Sequence, residues 1–188
     1  MRLPRRSRRR PLPWRHLRGA AVIGMASLVS GCAAWGWFGA LWPGGDATLG
    51  ADFGYGALPG QSLDLHGPAA SGQARPVLLL LHGSTGSGPR RQDYAFVGEA
   101  LADYHLLVAV PDYGTEAVSV VKRARAAAAA ADWLRGRGAE HGADPELLFL
   151  LGLGDGAAVA LEMLRLPAQA AAVTGVIALS IQLSLIHI

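Results

Sequence analysis

Cysteine is nearly missing from this chain, and acid is missing where base is densest. Cys32 is the single cysteine among 188 residues, so no internal disulfide can form. No aspartate or glutamate precedes Asp46, yet eight of the 17 basic residues lie between Arg2 and Arg18. The formal net charge of +3 therefore misdescribes the rest of the chain. From position 32 onward nine basic residues stand against fourteen acidic ones, a net of −5. A mildly acidic body argues against a nucleic-acid partner. Clustered metal ligands are lacking too: the six histidines are scattered, so neither a metal nor another cofactor is expected. There is no internal repeat. The length suits about one domain, and a 51% share of hydrophobic residues is ample for its core.

The basic run is explained by targeting. Arg2 to Arg18 is a long n-region, and Gly19 to Leu28 is a short apolar h-region. Val29-Ser30-Gly31-Cys32 then places an aliphatic and two small residues before a cysteine, as a bacterial lipobox does. The expectation is cleavage after Gly31 and lipid on Cys32, leaving residues 32–45 as a tether. An uncleaved anchor is the alternative, since Gly19 to Trp42 is 24 residues without a charge, long enough to span a bilayer. The arginines would then stay cytoplasmic. Either way the globular part lies beyond the inner membrane, in the periplasm of a bacterial envelope. Ser7-Arg8-Arg9-Arg10-Pro11-Leu12 also contains a twin-arginine pair, which basic n-regions give by chance.

From position 46 the pattern alternates. Asp52–Gly56 and Gln61–His66 read as two short strands, the second alternating polar and apolar. Val77–Leu81 is a continuous apolar run, as in a strand covered on both faces. Tyr94–Tyr104 predicts a helix with Phe96, Val97, Ala100 and Leu101 as its apolar stripe. His105–Val110 predicts a strand, and about Ala117 to Arg137 a long alanine-rich helix. Glu146–Leu151, then Ala157–Leu166, then Val173–Leu179 complete the series as strand, helix and strand. Such alternation predicts an α/β fold, a mostly parallel sheet with helices on both faces.

Two glycine turns carry the chemistry. The strand ending at Leu81 runs into His82-Gly83-Ser84-Thr85-Gly86, laid out as an oxyanion loop. The strand ending at Leu151 runs into Gly152-Leu153-Gly154-Asp155-Gly156 and then a helix, laid out as a nucleophile elbow. Gly154, however, stands where G-x-S-x-G needs its serine.

Taken together, these residues resemble the bacterial α/β-hydrolases of the carboxylesterase or feruloyl-esterase-like (BD-FAE-like) lipoprotein group. The resemblance runs from Cys32 to about Ser180. It covers the lipobox and the apolar stretch Phe38–Pro43, a Y-G…L-P-x-Q-x-L-D-L pattern from Tyr55 to Leu65, and His82-Gly83-Ser84. It continues through Asp93–Ala102, Val110-Pro111-Asp112-Tyr113, Trp133-Leu134 and the turn Gly142-Ala143-Asp144-Pro145. The resemblance implies an α/β-hydrolase fold and acyl transfer by a Ser-His-Asp triad on a small-molecule ester. It implies an oxyanion hole from the backbone N–H groups of Gly83, Ser84 and Asp155, with Gly152 and Gly156 as the small residues of the elbow.

The departures limit what carries over. Gly154 has no side chain and cannot attack. Asp155, taken as a nucleophile instead, would be one residue late. Ser84 replaces the second glycine of the usual H-G-G. His82 is expected to brace its loop; His66, His105 and His141 are expected to be solvated or met by backbone, without catalytic roles. The acid and the histidine of a triad should follow the elbow, yet the only acid beyond Asp155 is Glu162. Leu183–Ile188 back-translates as CTG TCT CTT ATA CAC ATC, which resembles the end of a transposon adapter used in sequencing libraries. Genuine sequence is therefore expected to stop near Ser180–Gln182, His187 is no catalytic histidine, and residues 46–182 are the front part of a hydrolase domain. The reading is an envelope-anchored ester hydrolase scaffold, inactive as given. A non-catalytic binding protein on the same scaffold is the alternative. Dinucleotide binding through Gly152, Gly154 and Ala157 fits the glycine spacing, but the motif follows several strands and no acid ends the next one.

Overall fold

The computed structural model describes residues 48–68, 72–83, 90–114 and 117–179. The leader, Cys32, the tether, Ser84 and residues 183–188 lie outside the described residues. Six strands form one sheet: β1 (Thr48–Gly54), β2 (Ser62–His66), β3 (Arg75–Leu81), β4 (Leu107–Pro111), β5 (Ala143–Leu153) and β6 (Val173–Leu179). Among the described residues four α-helices accompany them: α1 (Ala95–Ala102), α2 (Val120–Arg137), α3 (Gly156–Met163) and α4 (Pro167–Ala172). The order across the sheet is β1-β2-β4-β3-β5-β6. β2 runs antiparallel to both β1 and β4, while β4, β3, β5 and β6 are parallel.

Alternation along the central strands builds two apolar layers. Val77, Leu79 and Leu81 of β3 pack with Leu148 and Leu150 of β5 against the alanines and Leu134 of α2 and against Val159, Ala160 and Met163 of α3. Leu78 and Leu80 point to the opposite face, with Val108, Val110, Leu151 and Tyr94, and Val97 and Leu101 of α1 cover them. The alanine run of α2 serves both needs at once. It has the highest helix propensity, and Ala124, Ala127, Ala130 and Ala131 are at most 1% exposed, so the helix axis lies close to the sheet.

Differences from the sequence reading have local causes. α2 begins at Val120 because Ser119 is extended, with φ −56 and ψ 147. α1 is preceded by a 3-10 turn, Arg91–Tyr94, and its buried positions are Gly98 and Ala102. Gly98 is needed there, since a β-carbon would sit 2.5 Å from Cδ2 of His66. Of the two expectations for His66, solvent or backbone, burial at 2% exposure removes the first. β5 begins at Ala143, and its Pro145 falls in the register shift between the pairs Arg75–Ala143 and Val77–Leu148, where no ladder donor is required. The helix expected to run to Leu166 stops at Met163. Leu166 precedes a proline and turns extended, and Pro167 then opens α4. β6 matches its expected bounds and is an edge strand among the described residues; Ile177 and Leu179 are 51% and 50% exposed. Among the described residues no helix is long and apolar enough to cross a membrane.

From β3 the chain crosses to β4 on one side, then through α2 to β5 on the other. That reversal opens a crevice between the carboxyl ends of β3 and β5, the place where open α/β sheets bind ligands. Both glycine turns lie there.

Candidate active site

The turn after β5 has the backbone of an elbow. Gly154 has φ +60, a left-handed conformation that glycine adopts freely. Its N–H donates to the Leu179 carbonyl at 3.0 Å, tying the turn to β6. The flanking glycines are there for lack of room. A β-carbon at Gly152 would lie 2.5 Å from Ala157 Cα, and one at Gly156 would overlap the carbonyl oxygen of Leu81. At Gly154 itself, among the described residues, the only neighbour within 4 Å of such a carbon is Gly83 Cα, at 4.0 Å. The position is strained for a side chain but open to one. Asp155 has φ −70 and ψ −17 and starts α3. The left-handed point of the turn with room for a side chain is thus Gly154, whereas Asp155 takes helical angles at the head of α3.

Gly83 of the first turn stands beside the elbow. A β-carbon on it would sit 3.0 Å from Asp155 Oδ1, 3.5 Å from Leu153 O and 4.0 Å from Asp155 N. Of the predicted site residues, the structure therefore brings Gly83, Gly152, Gly154, Asp155 and Gly156 together.

His82 braces this turn from below. Its ring is 4% exposed and packs between Tyr94 and Tyr113, with centroids 5.1 and 5.2 Å away. Nδ1 lies 3.0 Å from Gly83 O and Nε2 lies 3.2 Å from Pro111 O, so the ring N–H can serve either carbonyl. The Tyr113 hydroxyl donates to His82 O, and the Tyr55 hydroxyl donates to Asp112 O. Burial, helped by nearby carboxylates, raises the pKa of both phenols well above its ordinary value. Of the other histidines, His141 stacks on Trp133, with centroids 6.0 Å apart, and His105 is exposed, with φ +60.

Two charged groups near the site have no local signature. Arg91, 3% exposed, donates from Nε to Asp64 Oδ2 at 2.9 Å and from Nη1 to Asp112 Oδ2 at 2.5 Å. It also reaches Ser62 and Asp52. Burial works against its charge, but the Asp64 hydrogen bond and the three carboxylates outweigh burial and raise its pKa. Arg123, in the first turn of α2, donates to Asp155 Oδ2 at 2.6 Å. The agreement around Val110-Pro111-Asp112-Tyr113 pointed at part of this network without giving its contacts. Among the described residues no group of His, Cys, Asp or Glu is placed to hold a metal ion.

No protein-family model matches the chain, and no curated protein matches it. Solved structures do. An inhibited esterase B from Lactobacillus rhamnosis superposes with a TM-score of 0.56 at 21% identity, covering 68% of this chain and 45% of the esterase. The same enzyme inhibited by a tributyrin phosphonate gives 0.56 at 20% identity, covering 77% and 52%. The carboxylesterase EST55 of Geobacillus stearothermophilus gives 0.53 at 24% identity, covering 62% and 28%. The chain thus spans about half or less of the length of these esterases. The fold is an α/β-hydrolase fold of the kind bacterial esterases have.

Proposed function

We propose that this chain is the front part of an envelope-anchored carboxylic ester hydrolase whose nucleophile position holds glycine, so that it is inactive as it stands. The observation carrying the reading is the backbone at Gly154: φ +60 between two glycines that admit no β-carbon, with Gly83 alongside. In such a site a serine at 154 would attack the ester carbonyl, and backbone N–H groups of Asp155 and the His82-Gly83 turn would hold the oxyanion. A glycine leaves the hole and removes the attack. The acid and histidine of the triad belong to sequence that would follow the elbow. Esterase B, one of the matched structures, is inhibited by a tributyrin phosphonate, which supports an ester of a short acyl chain as the ligand class.

The test is the gene extended past codon 180, carrying Gly154→Ser. It should hydrolyse p-nitrophenyl butyrate with burst kinetics, while the extended chain with Gly154 and the 188-residue chain with Gly154→Ser should not. Comparable turnover of the extended chain with and without Gly154→Ser would show that position 154 is not the nucleophile. Anchoring rests on Val29-Ser30-Gly31-Cys32 behind the basic n-region. Mass spectrometry of the exported protein should find acylated Cys32 as the first residue; an intact Met1–Gly31 would favour the helical anchor. The second reading, a non-catalytic envelope binding protein, draws on the same Gly154. It prevails if the extended gene supplies no acid and histidine.

A further inference from the structure

We propose that Arg123 is a positioning residue of this site: acting through Asp155, it sets the elbow against the His82-Gly83 turn so that their backbone donors face one point. The proposal rests on reading that point as an oxyanion site.

Two contacts of the Asp155 carboxylate bear on the site. Oδ2 accepts from Arg123 Nη1 at 2.6 Å, and Oδ1 lies where any side chain on Gly83 would crowd it, 3.0 Å from a β-carbon there. The carboxylate is thus wedged between α2 and the first turn, and its own residue heads α3. Arg123 is 6% exposed, and its stem lies against Gly114, three residues beyond β4. Gly114 has φ +97, and a β-carbon on it would be 3.7 Å from Arg123 Cγ. Tyr113, next to Gly114, donates to His82 O. Tyr113 thus touches the first turn and Arg123 the elbow. The phenol of Tyr113 feels both charges: Asp155 opposes its ionisation and Arg123 favours it.

Charge gives the arrangement a second consequence. A bare carboxylate beside an oxyanion site repels the charge that the site must hold, and at low exposure that repulsion is poorly screened. Arg123 cancels it. An ion pair at a helix surface would do neither, since exposed pairs hold little in place.

The experiment is amide exchange by NMR on the full chain, with an independent titration of butyrate. Arg123→Met should speed exchange at Gly83, Gly154 and Asp155 by about tenfold while Leu79 and Val108 stay unchanged, because the opening is local. Arg123→Lys should restore much of the protection. In the wild type butyrate should shift the Gly83 and Asp155 amides. Arg123→Met should weaken its binding, and adding Asp155→Asn to Arg123→Met should recover part of the affinity. Unchanged exchange at the three amides, or equal acceleration throughout the core, overturns the positioning role. A wild-type site that ignores butyrate overturns the oxyanion reading instead, and the exchange arm still decides whether Arg123 fixes the two turns.

Discussion

The elbow makes a prediction that separates strain from lack of space. Gly154→Ala puts a methyl group at φ +60 where, among the described residues, Gly83 Cα is the only atom within 4 Å of it. The left-handed backbone costs a non-glycine residue about 1–2 kcal/mol. Reduced freedom of the unfolded chain returns about 0.4–1 kcal/mol. The net loss is about 1 kcal/mol, or about 3–5 °C in Tm for a domain of this size. Gly156→Ala faces no such backbone penalty, since Gly156 is not among the positive-φ glycines. Its methyl group would instead overlap the Leu81 carbonyl oxygen and lie 2.9 Å from that of His82. Neither obstacle is a flexible side-chain end, so α3 must move off β3. Overpacking costs about 1–3 kcal/mol where side chains can shift, and against backbone the upper end or more applies. Thermal unfolding followed by circular dichroism should rank wild type above Gly154→Ala, and Gly154→Ala above Gly156→Ala, with a gap of at least about 2 kcal/mol between the two variants. A reversed order, or a Gly156→Ala variant as stable as wild type, would refute this account of the turn.

Other measurements reach the surrounding network. Burial, partly opposed by Asp64 and Glu99, lowers the pKa of His66; the unfolded chain then binds a proton that the native one does not. Stability should fall as pH drops below about 6.5, and His66→Phe should flatten that limb in urea titrations. The buried phenols Tyr55 and Tyr113 have raised pKa values. Their contribution is complete below the ordinary value and should drain away as pH climbs past about 10, less so in Tyr113→Phe. Removing the Arg91 charge by Arg91→Met leaves the nearly buried Asp64 carboxylate uncompensated, a loss of about 3–5 kcal/mol in denaturant unfolding. Asp52, whose side chain is 77% exposed, should matter by less than about 1 kcal/mol when changed to Ala.

How far the sequence led can be traced residue by residue. β6 was readable to its ends, because Val173–Leu179 is an uncharged run rich in β-branched residues after a stretch of alanines. The elbow was readable because strand, glycine turn and helix follow one another in sequence; Gly152 is demanded by Ala157, five residues on, whereas the crowding of Gly156 by Leu81 comes from the neighbouring strand. α4 was not readable, because the apolar pattern runs on through Leu166 and only the restriction before Pro167 interrupts it. The ion pairs were out of reach for a different reason. Arg91 meets Asp52, Asp64 and Asp112 across 39, 27 and 21 residues, and Arg123 meets Asp155 across 32. No periodicity encodes partners that far apart; only the strand order brings them together. Burial of His66 belongs to the same class, since it depends on where α1 crosses β2.

On the proposed reading, the same geometry accounts for a chain that keeps the fold with glycine at the nucleophile position. The residues that hold the elbow in shape are Gly152 and Gly156, and Leu179 ties it to β6 through the backbone. Residue 154 contributes to that shape through its backbone N–H alone, and a side chain there is not needed for it. Of the turn's three glycines it is the one where a side chain has room, and having one there is a burden of about 1 kcal/mol. Glycine there removes the burden without disturbing a neighbour. Stability therefore favours glycine, and only the need for an attacking oxygen would favour serine. A site of this design loses its chemistry with no penalty to the fold, which is why the fold can be read from the turn while the activity cannot. Elbow variants with serine, alanine and glycine at 154 should thus share one structure, with glycine the most stable. A serine form more stable than glycine would mean that the hydroxyl finds a partner in the turn, and that the position is built for serine after all.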